Sequence, residues 1–231
     1  MSVSILAMHG WAGDSRGWEP FAAAAGARGW TWQSLNRGYG SLPACGADWD
    51  PAGRCRVLVA HSLGPHLLPA ALLAGADAIV LLASFGQFLP PGRDGRRLEA
   101  ALSGMATALA GSEAGEAEAM LSRFLAEAAA PQPLSRLNAT ILETPLSAAG
   151  RRLLVDDLTL LAASRGLPAA LPADLPCLVV EAGADRIVAP EARELLRRER
   201  PAAAVLTYPE AGHCLLDTPV VPDVIAWIAS L

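Results

Sequence analysis

The stretch VLVAHSLGPHLLPAALLAGADAIVLLA, residues 57–83, holds two apolar runs of strand length around a segment of helical character. The runs are CRVLVA (55–60) and AIVLLA (78–83), and the stretch between them spans residues 63–75. Neither run alternates polar with apolar, the pattern of strands buried on both faces of a parallel sheet. A strand, a helix of crossover length and a second such strand together predict a right-handed βαβ unit. Ser62 falls on the turn where the first strand enters the helix, at the carboxyl edge of the predicted sheet. A serine there could react, or simply cap the following helix.

Working outward, further β-type runs occur at VSILAM (3–8), WTWQSL (30–35), CLVVEA (177–182) and AAVLTY (203–208), with a second crossover helix at 190–200. The alternation predicts an α/β fold with a mostly parallel sheet of about six strands. Between Gln87 and Asp174 the rhythm breaks. The segments RRLEAALSGMATALAG, EAEAMLSRFLAEAAA and AAGRRLLVDDLTLLAAS read as three or four helices separated by Gly, Pro and Ser. Residues 1–86 and 174–231 are therefore expected to form the core, and 87–173 a helical insertion of the kind that serves as a lid. Ordinary packing helices are the alternative.

The 231 residues suit one domain carrying such an insertion, and 52% hydrophobic against 18% charged residues argues for a packed core. All 18 basic residues are Arg, and the net charge of −5 gives no general attraction to nucleic acid or to an anionic membrane. No run approaches the ~20 apolar residues of a spanning helix. MSVSILAMHG lacks the basic start and cleavage site of a signal peptide, so a cytoplasmic location is expected. Cys45, Cys55, Cys177 and Cys214 are scattered without metal-ligand spacing, which favours free thiols.

A nucleophilic serine needs a base, and the candidates are His9, His61, His66 and His213. His61 and His66 flank Ser62 but are expected to point elsewhere. His213, in PEAGHCLLD, follows the last predicted strand and should lie at the same carboxyl edge. A carboxylate must then hold the imidazole. Asp185, in GADRIVAP, follows the preceding strand, so adjacent parallel strands would deliver both groups together. Glu181 and Asp217 are its rivals. Donors for an oxyanion would be the backbone N–H groups of Trp11, after the first strand in HGW, and of Leu63, at the start of the helix after Ser62. The order Ser, Asp, His is that of α/β-hydrolases.

HGW, AHSLG, GADRIV and GHC, in this order, resemble the α/β-hydrolase fold enzymes over nearly the whole chain, with Ala60 where the elbow motif has its first Gly. Within that superfamily the sequence looks most like the carboxylesterases of biotin synthesis, which remove the methyl ester from pimeloyl-acyl-carrier-protein. The closer points are HGW, SRFLAEA and the run from LLVDDLTLLAASRG to the acid. The resemblance implies a serine esterase without cofactor or metal, its substrate a small ester tethered to acyl carrier protein. It also implies that Phe124 and Leu125 line the acyl channel, that Trp11 joins them in binding the substrate, and that Arg123 contacts the carrier. Arg93, Arg96, Arg97, Arg151 and Arg152 are further candidate contacts, because residues 89–155 carry seven Arg and seven acidic residues while the rest of the chain carries the negative charge. A general short-chain acyl esterase, a menaquinone-pathway-type lyase and a binding protein on a hydrolase scaffold are the other readings.

Overall fold

Every strand pairing in the computed structural model is parallel, as the unbroken apolar runs predict; the structure describes residues 2–111, 113 and 115–231. In chain order the core begins with β1 (Val3–Met8), α1 (Glu19–Gly26), β2 (Thr31–Leu35), β3 (Cys55–His61), α2 (Gly64–Leu67), α3 (Ala70–Ala74) and β4 (Ala78–Leu82). The insertion follows with α4 (Arg93–Ala110), α5 (Glu116–Ala129) and α6 (Ala148–Ala163), and the chain closes with β5 (Cys177–Ala182), α7 (Pro190–Glu199), β6 (Ala204–Tyr208) and α8 (Val220–Ile228). The sheet order is β2-β1-β3-β4-β5-β6. The winding therefore reverses between β1 and β3, the kind of switch point where ligands bind in open α/β sheets.

Strand geometry sends alternate side chains to opposite faces, and each face has its own helical cover. Ile5, Val57, Val80 and Val180 pack with Trp18, with Phe21 of α1 and with Val224 and Ile228 of α8. On the other face Leu6, Leu58, Leu81 and Val179 pack with Leu72 and Leu73 of α3 and Leu196 of α7. A third apolar cluster lies between the sheet's carboxyl edge and the insertion, joining Trp11, Tyr39 and Leu63 to Leu121, Leu154 and Leu158. The insertion thus packs onto the core through a substantial apolar contact.

One expected element is different. The helix predicted over 63–75 breaks into α2 and α3 at Leu68, which is extended at φ −80° and ψ 138°. The cause is Pro69, whose ring disfavours helical backbone in the residue before it. By contrast α7 follows the sequence closely, with Pro190 in its first turn, Glu191 near the positive end and Arg197 and Arg198 in the last turn. Among the described residues no helix is long and apolar enough to cross a membrane.

Leu81, fully buried within β4, tests the two-faced core. Leu81→Ala is expected to lower unfolding free energy by about 2–5 kcal/mol in urea denaturation, whereas truncating the exposed Val205 of edge strand β6 should change it little.

Candidate active site

Four strand ends build the site, all at the carboxyl edge: β1 leads to His9–Trp11, β3 to Ser62, β5 to Asp185 and β6 to His213. Ser62 adopts φ 54°, the left-handed region that a side chain rarely enters. Both of its peptide groups are tied down. Its N–H donates to Leu82 C=O at 2.9 Å, and its C=O accepts from the Ser84 hydroxyl at 2.7 Å. Ser84 is buried and went unnoticed in the sequence, because its role depends on β3 and β4 being neighbours.

The turn is crowded enough to require two glycines. A Cβ on Gly64 would stand 2.5 Å from Met8 C=O and 3.3 Å from Ala60 Cβ, and one on Gly10 would stand 2.7 Å from Ser62 Cβ. Ala60 is accommodated where the elbow motif has Gly because the facing Gly64 has no side chain.

Asp185 is the carboxylate that meets His213. His213 Nδ1–H donates to Asp185 Oδ2 at 2.9 Å, with the carboxylate side chain fully buried and the imidazole side chain 4% exposed. The other oxygen, Oδ1, accepts from the Ile187 and Val188 N–H groups at 2.7 and 3.0 Å. Burial pushes the Asp185 carboxyl up, but His213 and the two amides outweigh it and hold the group below its ordinary value. The rival acids are occupied elsewhere. Glu181 lies 2.8 Å from Arg197 Nε, and Asp217 pairs with Arg136.

The histidines around the elbow divide differently from the expectation. His66 does turn away, its Nε2–H donating to Phe85 C=O at 3.3 Å. His61 does not: its ring centroid lies 4.7 Å from that of His213, and its Nε2–H donates to His213 C=O at 2.9 Å. Sequence adjacency to Ser62 could not reveal this contact, which spans 152 residues. Burial and the neighbouring His213 push His61 down to about 3, so it is neutral at physiological pH. Among the described residues no hydrogen bond joins Ser62 Oγ to His213. Ser62 is 4% exposed, sits against Gly10, and is not among the residues that line the adjoining cavity.

A cavity of about 470 Å³ opens in front of this group, bounded by Gly10, Trp11, His61 and His213 from the core and by Phe124, Leu125 and Ala128 from α5. The Trp11 and Phe124 rings meet edge to face at 4.8 Å. Trp11, Phe124 and Leu125, expected to bind the substrate, line one cavity. The rim is polar and includes Arg136 with its partner Asp217, a pair that the sequence did not single out. Cys214 N–H donates to Ala128 C=O at 3.1 Å, which ties the His213 loop to α5. Its thiol is pushed up to about 12 by burial and by Asp185, which favours the protonated form.

The Trp11 and Leu63 backbone N–H groups find no protein acceptor among the described residues. Of the arginines considered as partner contacts, Arg93, Arg96, Arg97, Arg123 and Arg152 are exposed on the insertion helices. Arg151 is half-buried and paired with Glu118 at 2.9 Å.

Comparison with known proteins places the fold. The chain belongs to the alpha/beta hydrolase family, whose model matches residues 5–222. No curated protein matches it in sequence. Among solved structures it is similar to an esterase (EaEST) from Exiguobacterium antarcticum, at TM-score 0.73 and 15% identity, covering 99% of this chain and 92% of that one. It is also similar to a thermophilic esterase from Thermogutta terrifontis, solved with malate bound, at TM-score 0.69 and 18% identity over 100% and 90% of the two chains. A hydrolase from Oleispira antarctica, olei00960, gives TM-score 0.70 at 13% identity over 100% and 92%.

The Asp185–His213 pair makes a prediction about acid stability. A carboxyl held below its ordinary value of 3.8 stabilises the fold above that pH, and the contribution disappears as pH falls through the lowered value. Asp185→Asn should therefore be less stable than the wild type near neutrality, and denaturation midpoints of the two should draw together as pH falls below about 3.8 and meet only below the lowered value.

Proposed function

We propose that the protein is a serine carboxylesterase with Ser62 as nucleophile, His213 as base and Asp185 as the orienting acid. The observation that carries the reading is the buried Asp185–His213 hydrogen bond beside a serine held at positive φ on a strand-to-helix turn. With Nδ1–H committed to Asp185, the neutral imidazole presents a bare Nε2, the tautomer a base requires. Substrate binding must bring Ser62 Oγ within hydrogen-bond reach of that nitrogen, a tightening common at catalytic sites.

The steps follow from the placement of groups. Ser62 Oγ attacks the ester carbonyl carbon while His213 Nε2 takes the hydroxyl proton, and Asp185 stabilises the resulting imidazolium. The tetrahedral oxyanion accepts from the Trp11 and Leu63 N–H groups. The C–O bond to the alcohol breaks as His213 returns the proton to the leaving oxygen, which releases the alcohol and leaves Ser62 acylated. Water, deprotonated by His213, then attacks the acyl carbon; the acid departs and Ser62 recovers its proton. The two esterases compared above share this fold, which supports the reading.

The preferred substrate is the methyl ester of pimeloyl-acyl carrier protein, cleaved to methanol and the free acid in a biotin-synthesis step. Support comes from the sequence resemblance, from the apolar lining of Trp11, Phe124 and Leu125, and from the exposed arginines on the insertion helices. In this reading the insertion is the lid, and Arg123 with Arg93, Arg96, Arg97 and Arg152 meets the acidic carrier. Arg151 can join only by leaving Glu118. A general short-chain acyl esterase is the second reading, favoured by the moderate size of the cavity.

Hydrolysis of pimeloyl-carrier methyl ester and of p-nitrophenyl acetate, by wild type and Ser62→Ala, separates these readings. The expected result is loss of at least ~10³-fold in kcat for Ser62→Ala with an unchanged melting temperature, and a carrier-ester preference that weakens with salt. Cleavage of the aryl ester alone would leave the general esterase. Full activity in Ser62→Ala would overturn the mechanism.

A further inference from the structure

The Gly10–Trp11 peptide is held from the side away from its N–H. Gly10 C=O accepts from His9 Nδ1 at 2.8 Å and from Gly13 N–H at 3.1 Å. In a trans peptide the C=O and the following N–H point in opposite directions. Fixing the Gly10 carbonyl therefore fixes where the Trp11 N–H points.

The tautomer of His9 follows from its partners. A carbonyl only accepts, so Nδ1 carries the proton; Nε2 is then bare and accepts from Arg37 N–H at 3.1 Å. His9 is 4% exposed, so the ring has little freedom to exchange these bonds for water. Arg37 is itself clamped by the insertion. Its Nε and Nη2 donate to Asp157 Oδ2 and Oδ1 of α6 at 2.7 and 2.8 Å, and the Tyr39 hydroxyl donates to Oδ2 at 2.6 Å. Asp157 is 2% exposed. One turn earlier on α6, Leu154 C=O accepts the Trp11 indole N–H at 2.8 Å. Residues three apart on a helix share a face, so a single face of α6 holds both the Trp11 side chain and the arginine behind His9.

We propose that His9 is a positioning residue that aims the Trp11 amide at the reacting oxygen, and that α6 of the insertion sets its position through Asp157, Arg37 and Tyr39. The inference rests on the esterase reading, in which that amide is an oxyanion donor. It gives the insertion a second task besides covering the cavity: the catalytic turn is built correctly only while α6 is docked.

The test measures kcat and KM on p-nitrophenyl butyrate for wild type, His9→Ala, His9→Asn, Asp157→Asn, Tyr39→Phe and Ser62→Ala, with folding checked by circular dichroism and thermal melting. His9→Ala should lower kcat about 10²-fold, the scale of a misplaced catalytic group, with KM within about threefold of wild type. His9→Asn, which keeps an N–H donor near the Nδ1 position, should recover roughly tenfold of that loss. Asp157→Asn and Tyr39→Phe should lower kcat in the same manner, Tyr39→Phe the less because two of the three bonds to Asp157 survive. Unchanged kcat in a folded His9→Ala, or no recovery in His9→Asn, overturns the role of His9. If Asp157→Asn does not fold, Tyr39→Phe decides the link to α6, and full kcat there overturns it. An inactive Ser62→Ala beside a fully active His9→Ala brings down this inference alone, whereas an active Ser62→Ala brings down the esterase reading beneath it.

Discussion

A side chain at positive φ on the carboxyl edge of a parallel sheet is the constraint to which the rest of the site conforms. Left-handed backbone costs a residue other than glycine roughly 1–2 kcal/mol, so Ser62 stays there only because its surroundings hold it. The Leu82 carbonyl and the Ser84 hydroxyl take its two peptide groups, and the end of the neighbouring β1 lies so close that Gly10 and Gly64 must lack side chains. The conformation lifts the serine off the line of β3, to the point where the winding of the sheet reverses. Strain of this kind persists where the structure over-determines it, and such places tend to be functional.

The second organising feature is the burial of polar pairs that join distant segments. Asp185 and His213, 28 residues apart, meet because β5 and β6 are neighbours and both deliver their loops to one edge. Asp157 and Arg37, 120 residues apart, meet because α6 lies over the loop that follows β2. Each buried carboxylate is satisfied by several donors, the condition under which a buried charge is tolerated. The cavity in between combines an apolar wall from both core and insertion with the imidazole pair of His61 and His213. Its chemistry therefore belongs to neither part alone.

The strands were legible because burial on both faces leaves an unmistakable record: VSILAM and CLVVEA appear in the structure with the bounds that the sequence suggested. Ser62, Asp185 and His213 could be picked out because each follows such a run at a carboxyl edge. Pro69 misled the reading of the helix after Ser62, since apolar spacing continued through it while the backbone could not. Ser84, Arg136, Arg37 and Tyr39 left no signal, being ordinary polar residues in loops whose partners lie far away in sequence.

The sequence by itself determined the layers of this protein and which loops stand at the edge that matters, because periodicity and burial are local properties of the chain. Only the tertiary structure decided which of those residues touch: that His61 lies against His213 rather than turning away, that Asp185 rather than Glu181 or Asp217 meets that imidazole, and that α6 grips the turn at Trp11. The reason is that hydrogen bonds and ion pairs are settled within about 3 Å, a scale fixed by how strands and helices pack and not by their spacing along the chain.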